Sequence, residues 1–506
     1  MDCVEYGESS DRFRAFGGLY RERGGSLPMR TAVKRRVQKS MGKSRKFHKL
    51  GKLGRVGKPG KVASSQASYN RGYNEGFNMA YDSAHDHAFQ LGWDAGVTPS
   101  KFQGTSIIIV TTNDQRHHLQ NCIDSIYEYT PEPFELIVID NASTDDTAEY
   151  LKSLTGKIRY KIFTSNLGFA GGTNQGLRMA RGSNLLFLNN DTIVTKDWLK
   201  NMLTCLNSNE KFGLVGPMTN YISGEQLLQT NYTSTEEMHH FAANFNHSNP
   251  AKWHVTTRLT GFCVLMRREV FERLGYLDEG FEIGNCEDDD FGFRTRIMGL
   301  ELVIAMDTFI HHVGSVSIKA LGEQRFEEVY GRNLEFYARK WGETHSLLHE
   351  VHQKLGGGSA AMVDFYPSHI VVRGVTSELY WIENGHRHPI EGESHHLSAT
   401  RVSQVDLRSW PKGHSLSQHD VQNKLAALAQ GVYVDGHLQE GALARTEDHA
   451  VYQIKNGKMQ RFINDWPLRY WNLDLRHQTA MSWDDFHRFA PALPIIAPAI
   501  IVANNV

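Results

Sequence analysis

Two short apolar runs, Leu136-Ile-Val-Ile-Asp140 and Leu185-Leu-Phe-Leu-Asn-Asn-Asp191, end abruptly in carboxylate and amide side chains. No other feature constrains the fold as strongly. A continuous apolar run of this length, without polar alternation, is a strand buried on both faces, and such strands belong to parallel sheets covered by helices. Parallel sheets take ligands in the crevice outside the carboxyl ends of their strands. Asp140 and Asp191 therefore stand where chemistry is expected. Between the two runs lies Ser165-Asn-Leu-Gly-Phe-Ala-Gly-Gly-Thr-Asn174, whose glycines suit a loop with close backbone approach to a ligand.

The surrounding chain alternates strand and helix signals. Thr105 to Val110 is a buried strand, Leu119 to Tyr129 a helix with Leu119, Cys122, Ile123 and Ile126 on one face, Phe134 to Ile139 a second strand and Tyr160 to Phe163 a third. Strand, helix, strand repetition implies a mainly parallel sheet with right-handed crossovers, a Rossmann-like α/β arrangement. Thr111-Thr-Asn-Asp114 follows the first strand where a dinucleotide-binding fold would carry G-x-G-x-x-G, which disfavours NAD.

At 506 residues the chain is long enough for two or three domains. The formal net charge of -1 conceals an uneven distribution: from Arg30 to Lys61 there are 13 Lys or Arg and no acid. Residues 1–65 are expected to be disordered, with a basic stretch at 30–61 able to hold an anionic membrane surface or polymer, and no feature points to specific nucleic-acid binding. Residues 66–100 form a segment striped every fourth position by Tyr69, Tyr73, Phe77 and Tyr81, and by Gly72, Gly76, Ala80, Ala84, Ala88, Gly92 and Gly96. On a helix that stripe needs a partner, either the rest of the chain or a second copy in a homo-oligomer. The 5 cysteines are scattered and never paired as C-x-x-C, which argues against a disulfide framework or structural zinc. Without an apolar run of membrane-spanning length or a leader pattern, the chain is expected in the cytoplasm, with the inner face of the membrane reachable through its basic stretch.

Taken in order, the pieces resemble an inverting glycosyltransferase of family 2 with the type A fold, closest to bacterial rhamnosyltransferase-like members that build cell-envelope polysaccharide. The pieces are Thr111, Thr112 and Asn113; Asp140-Asn-Ala-Ser143; Asn166-Leu-Gly-Phe169 with Asn174; Asn189-Asn-Asp191; Gly261-Phe-Cys-Val-Leu-Met266; Glu287-Asp288; His311-His-Val-Gly314; and Arg339-Lys-Trp-Gly342. The likeness covers residues 104 to about 345, within a catalytic domain bounded at 101–350. It implies a hexosyltransferase that takes a nucleotide-diphosphate sugar donor and passes the sugar to a glycan, lipid-linked or protein acceptor. A carbohydrate-binding or scaffold protein on the same fold is the alternative.

The resemblance and the chemistry converge on the same side chains. A departing diphosphate needs its charge neutralised, and Mn²⁺ or Mg²⁺ prefers hard oxygen ligands such as Asp191 offers. The family's usual Asp-x-Asp begins here with Asn189, a neutral ligand; His311 matches a family histidine near the metal, and His312 stands beside it. Thr111, Thr112, Asp140, Asn141, Asn166, Gly168, Asn174, Asn190 and Gly261 are expected to bind substrate, with Asp140 on the base or ribose. The run Glu287-Asp-Asp-Asp290 opens a helix, where its charge suits the dipole. The resemblance makes Asp288 the general base, with Glu287 orienting the acceptor or the base.

Beyond a Gly-rich linker at 351–361, residues 362–506 carry Tyr380-Trp-Ile-Glu-Asn-Gly385 and Tyr452-Gln-Ile-Lys-Asn-Gly457, one pattern repeated at a spacing of 72. Alternating apolar residues ending in Asn-Gly signal a hairpin, so two related β-containing units are expected, with Trp410 and Trp483 at similar offsets. The apolar run from Ala492 to Ala503 is interrupted by Pro494 and Pro498, which fits a docking segment better than a membrane span.

Overall fold

The computed structural model describes residues 102–502 apart from 114–115, 315–321, 393–396, 431–432 and 435–436. The expectations for residues 1–65, 66–100 and the basic stretch 30–61 lie outside the described residues, as does the homo-oligomer expected through 69–96.

A nine-stranded sheet organises the first half. Its strands are β1 (Phe102–Thr111), β2 (Phe134–Asp140), β3 (Arg159–Ile162), β4 (Gly182–Asn189), β5 (Thr192–Ile193), β6 (Phe212–Thr219), β7 (Trp253–Thr256), β8 (Cys263–Arg267) and β9 (Glu301–His312). The order is β3-β2-β1-β4-β8-β6-β9-β5, with β7 added beside β9. β8 runs antiparallel between β4 and β6, and β5 and β7 run antiparallel to β9; the remaining strands share one direction, so the sheet is mainly parallel.

Period-two alternation divides each central strand between two cores. Ile107, Ile109, Leu136, Val138, Leu186 and Leu188 pack on one side with Leu119, Cys122, Ile123 and Ile126 of α1 (Arg116–Tyr129). Ile108, Ile137, Ile139, Leu185 and Phe187 pack on the other. Helix α2 (Thr147–Ser153) follows β2, and α3 (Gly168–Met179) follows β3. α3 lies close on the sheet because Gly172 and Gly176 present no side chain to it: an added Cβ would meet Val110 Cγ1 at 2.7 Å and Ile108 Cγ2 at 2.2 Å. The sequence suggested that Gly168, Gly171 and Gly172 lay in a donor loop. Gly172 instead serves helix-to-sheet packing, Gly171 lies in the helix against Leu167, and only Gly168, with φ +72°, occupies the turn.

The remaining helices of this half are α4 (Trp198–Ser208), α5 (Thr235–Phe245), α6 (Arg268–Leu274), α7 (Glu287–Ile297), α8 (Glu323–Trp341) and α9 (Thr344–Leu355). α9 continues into the segment expected as a linker, and Gly356 at φ 56° ends it. The glycine stretch that follows is tied down by Ala360 N–H donating to Met298 O at 3.0 Å.

A buried ionic network joins α7 to α8. Asp290 accepts from Arg294 Nε at 2.7 Å, Lys340 Nζ at 2.6 Å and Trp341 Nε1 at 2.9 Å, while Lys340 Nζ also reaches Asp278 at 2.6 Å. Charges removed from water are tolerated only when fully partnered, and deleting one partner strands the others. Lys340→Met should therefore cost about 3–5 kcal/mol of unfolding free energy in urea titration, far above the ~0–1 kcal/mol of a surface pair. A loss below 1 kcal/mol would show that the network is not supporting the fold.

The C-terminal stretch holds two five-stranded sheets of identical connectivity. The first comprises β10 (Ile370–Arg373), β11 (Leu379–Glu383), β12 (His386–Glu391), β13 (Thr400–Arg401) and β14 (Leu416–Ser417), with α10 (Gln404–Ser409) and α11 (Gln418–Ala429). After a short hairpin of β15 (Tyr433–Val434) and β16 (His437–Leu438) come β17 (Leu443–Arg445), β18 (Val451–Lys455), β19 (Lys458–Arg461), α12 (Asp465–Tyr470), β20 (Gln478–Ala480), α13 (Trp483–Phe486) and β21 (Ala490–Pro491). Each Asn-Gly pair makes the two-residue turn of a hairpin, with φ 50° and 70° at Asn384 and Gly385 and 54° and 66° at Asn456 and Gly457. Ser403 and Ser482 cap α10 and α13 in the same way, so Trp483 corresponds to Gln404 rather than to Trp410. The tail packs as an extended strap: Ile495 N–H donates to Arg461 O, Ile496 N–H to Phe365 O, and Glu279 N–H to Ile500 O. Among the described residues no helix is long and apolar enough to cross a membrane.

Candidate active site

The C-terminal ends of β1, β2 and β4, with β9 alongside, bring the expected residues to one edge of the sheet. Asp140 ends β2 fully buried, its Oδ1 accepting from Ser143 N–H at 2.9 Å while Oδ2 has no hydrogen-bond partner. A buried carboxylate oxygen without a donor is costly unless a ligand supplies one. Asn141 links β1 to the 166–168 turn: its N–H donates to Thr111 O at 2.8 Å, its Nδ2 to Asn166 Oδ1 at 2.9 Å and to Gly168 O at 3.0 Å, and its Oδ1 accepts from Leu167 N–H at 2.8 Å. Asn190 Nδ2 donates to Thr111 Oγ1 at 3.0 Å, and Thr112 lies half-buried just beyond the strand. Asn189 ends β4 with its carbonyl accepting from Thr192 Oγ1 at 2.8 Å and its side chain half-buried.

Asn174 departs from its expected place. It is fully buried in α3, donating to Leu277 O and Glu279 Oε1, both at 2.9 Å, and accepting from Leu277 N–H at 2.9 Å. Its amide is spent as a strut beneath the 277–279 segment.

The two histidines face opposite sides of β9. Neighbouring residues of a strand point to opposite faces. His311 faces Tyr232, sharing a 2.6 Å hydrogen bond with its hydroxyl, and burial, then the neighbouring His312, pushes its pKa down to about 4. His312, not His311, meets Asp191, with Nε2 3.1 Å from Oδ1. Its Nδ1 lies 2.8 Å from Tyr221 O. A carbonyl can only accept, so Nδ1 carries the proton, and in the neutral ring Nε2 then turns a lone pair toward the Asp191 carboxylate. A cation between them resolves that conflict, and a carboxylate oxygen with an imidazole nitrogen is a donor pair that suits Mn²⁺. No cluster of three or more His, Cys, Asp or Glu suited to a metal occurs among the described residues.

The acidic run divides into four environments because a helical start turns successive side chains by about 100°. Asp290 enters the buried network, and Asp289 faces outward to Arg258 Nε at 2.6 Å. Glu287 is buried, with Oε2 unpartnered, and burial followed by the Asp288 charge pushes its pKa well up. Asp288 accepts from Gly261 N–H and from Asp289 N–H, both at 2.9 Å, and burial, then Asp289, pushes its pKa up to about 6. Gly261 permits that approach, since an added Cβ would stand 3.2 Å from Asp288 Cβ.

The loop entering α7 has left-handed backbone at Ile283, Asn285 and Cys286, with φ 62°, 78° and 70°. Such conformations in non-glycine residues, above all a β-branched one, persist only when neighbours enforce them. Buried Asn333 of α8 does so: its Nδ2 donates to the carbonyls of Glu282, Gly284 and Asn285 at 3.0–3.1 Å, and its Oδ1 accepts from Glu282 N–H at 2.9 Å. Ile283 O in turn accepts from Phe169 N–H at 2.7 Å, joining this loop to the 166–169 turn. Asn333 and Arg258 went unnoticed in the sequence, where one polar residue in a charged helix and one Arg in a loop carry no signal.

Residues 106–275 match the sequence profile of Glycosyl transferase family 2. This segment is a family 2 glycosyltransferase domain. The architecture around it is a mainly parallel α/β sheet, extended by a β-containing C-terminal region. Over 233 residues the chain is 29% identical to O-antigen biosynthesis protein RfbC of Myxococcus xanthus, covering 42% of this chain and 18% of that protein. It is 24% identical over 242 residues to the low-salt glycan biosynthesis hexosyltransferase Agl10 of Haloferax volcanii, covering 46% of this chain and 73% of that enzyme. Among solved structures, the glycosyltransferase fold resembles GalNAc-T7 with UDP, GalNAc and Mn²⁺, at 17% identity and TM-score 0.38 over 50% of this chain and 51% of that one.

Proposed function

We propose that the chain is an inverting glycosyltransferase that moves a hexosyl group from a nucleotide-diphosphate sugar to an acceptor hydroxyl, with Asp288 as general base. The observation that carries this reading is the state of Asp288: a carboxylate held by two backbone N–H groups, poised near pH 6, at the helix start beside Gly261. Inversion needs one carboxylate to take the acceptor proton during in-line attack. In the step, the acceptor oxygen forms a bond to the anomeric carbon as its proton passes to Asp288. The bond from that carbon to the diphosphate oxygen breaks, and the electron pair leaves with the diphosphate.

The unpartnered Asp140 oxygen supports a role in accepting from the nucleoside, through the base or the ribose. Asn141 and Asn166 shape the turn that meets the donor. Asp191 and His312 would hold Mn²⁺ or Mg²⁺, which supplies positive charge to the leaving diphosphate. Buried Glu287, whose pKa is pushed well up by burial and then by the Asp288 charge, can orient the acceptor or the base.

The test is release of nucleoside diphosphate from a panel of nucleotide sugars, with and without Mn²⁺. Metal-dependent release from at least one donor is expected. Donor binding without turnover across the panel would instead favour a carbohydrate-binding scaffold. The pH profile tests the base separately. A base works only when ionised, so with its pKa raised to about 6 the activity is full above that value. As pH falls below it, kcat/KM should drop about tenfold per unit. A profile flat from pH 7 to pH 4.5 would exclude Asp288.

A further inference from the structure

Helix α8 carries a pair of rings one turn before Asn333, the residue that holds the loop entering α7. Tyr330 and Phe326, one turn apart on α8, stack in parallel with centroids 5.8 Å apart and planes 4° from parallel. Tyr330 is 40% exposed although it belongs to a helix whose Val329, Asn333, Phe336 and Lys340 are buried. Its place beside the catalytic loop follows from Asn333, three residues on and so on a neighbouring face of the helix, whose amide is fixed to the carbonyls of Glu282, Gly284 and Asn285. Arg258, bonded to Asp289, lies within electrostatic reach of both Asp288 and the Tyr330 phenol.

The exposed apolar side chains repeat the point. Tyr221, Ile283 and Val313 are 38–41% exposed. Tyr221 O meets His312, Val313 N–H donates to Asp191 O, and Ile283 O accepts from Phe169 N–H. Apolar surface left uncovered around a polar centre marks ligand contact.

We propose that Tyr330, stacked on Phe326, forms an acceptor subsite together with Arg258 and Asp289, and that the acceptor is a glycan presenting a pyranose ring. The proposal rests on the transferase reading above. An acceptor hydroxyl must come within hydrogen-bond distance of Asp288, so the side chains beside Asp288 meet the group that carries it. A pyranose has an apolar C–H face that lies flat on an aromatic ring and an equatorial rim of hydroxyls. An exposed Tyr backed by a second ring supplies the flat face, and a guanidinium paired with a carboxylate supplies donor and acceptor for the rim. A polyprenyl chain needs a continuous apolar groove, whereas Gln324, Arg325, Glu327 and Glu328, all exposed, surround these rings on α8.

The full chain is given a donor that it hydrolyses and a panel of neutral hexopyranosides and short oligosaccharides. Transfer to sugar and hydrolysis to water are measured in the same reaction. Tyr330→Ala should lower the ratio of transfer to hydrolysis about tenfold through the acceptor KM, the size expected for one lost stacking contact, and Tyr330→Phe should restore it. Saturation-transfer NMR should show pyranoside binding to the wild type that weakens by the same factor in Tyr330→Ala. An unchanged ratio, or an equal fall in transfer and hydrolysis, would overturn the subsite. So would transfer to polyprenyl phosphate or peptide hydroxyls with no sugar accepted. If no donor is turned over yet pyranosides bind through Tyr330, the transferase reading fails while the subsite stands.

Discussion

Asp288→Asn should lower kcat about 100- to 10,000-fold with donor affinity nearly unchanged, because the amide keeps the size and one of the two backbone hydrogen bonds but cannot take a proton. Charge complementarity at the start of α7 would give a different result, a stability change of about 0.3–1 kcal/mol and no effect on rate. Stopped assays of nucleoside diphosphate release, beside thermal unfolding of the same protein, separate the two. The residual activity of Asp288→Asn should also lose the acid limb near pH 6. The neighbouring acids are not equivalent controls, since Asp290 lies in the buried network and Asp289 is paired with Arg258. Asp290→Asn should act on stability, through stranded Lys340 and Arg294. Should Asp288→Asn turn over like the wild type, the base lies elsewhere.

The second large effect is expected at the metal pair. Asp191→Ala should abolish turnover and Mn²⁺ binding together, and His312→Ala should weaken Mn²⁺ at least about tenfold. His311→Ala should disturb metal binding far less, because that ring is bonded to Tyr232 on the opposite face of β9. Asn189→Asp adds a carboxylate beside the pair and should preserve or tighten the metal. Paramagnetic resonance of Mn²⁺ reads these affinities without any catalytic assay. Retained Mn²⁺ affinity in Asp191→Ala would remove Asp191 from the site.

What the sequence determined by itself is the part of the molecule governed by local period and by strand ends. Unbroken apolar runs ending at Asp140 and Asp191 specify buried parallel strands, since residues of either parity must face a core, and both cores are present. The Asn-Gly turns specified two hairpins through the positive φ that those residues accept. What only the tertiary structure decided is which side chain of a neighbouring pair faces the site. His311 and His312 are interchangeable as letters, but one step along a strand reverses direction, and pairing of β9 with β5 and β6 sends His312 to Asp191. Asn174 matches a donor motif in sequence, yet the packing of α3 against 277–279 consumes its amide. The four acids of α7 are adjacent in the chain and have separate partners because a helix distributes them around its axis, toward Gly261, Arg258 and Lys340. Those partners lie far away in the sequence, and only the closed fold brings them together.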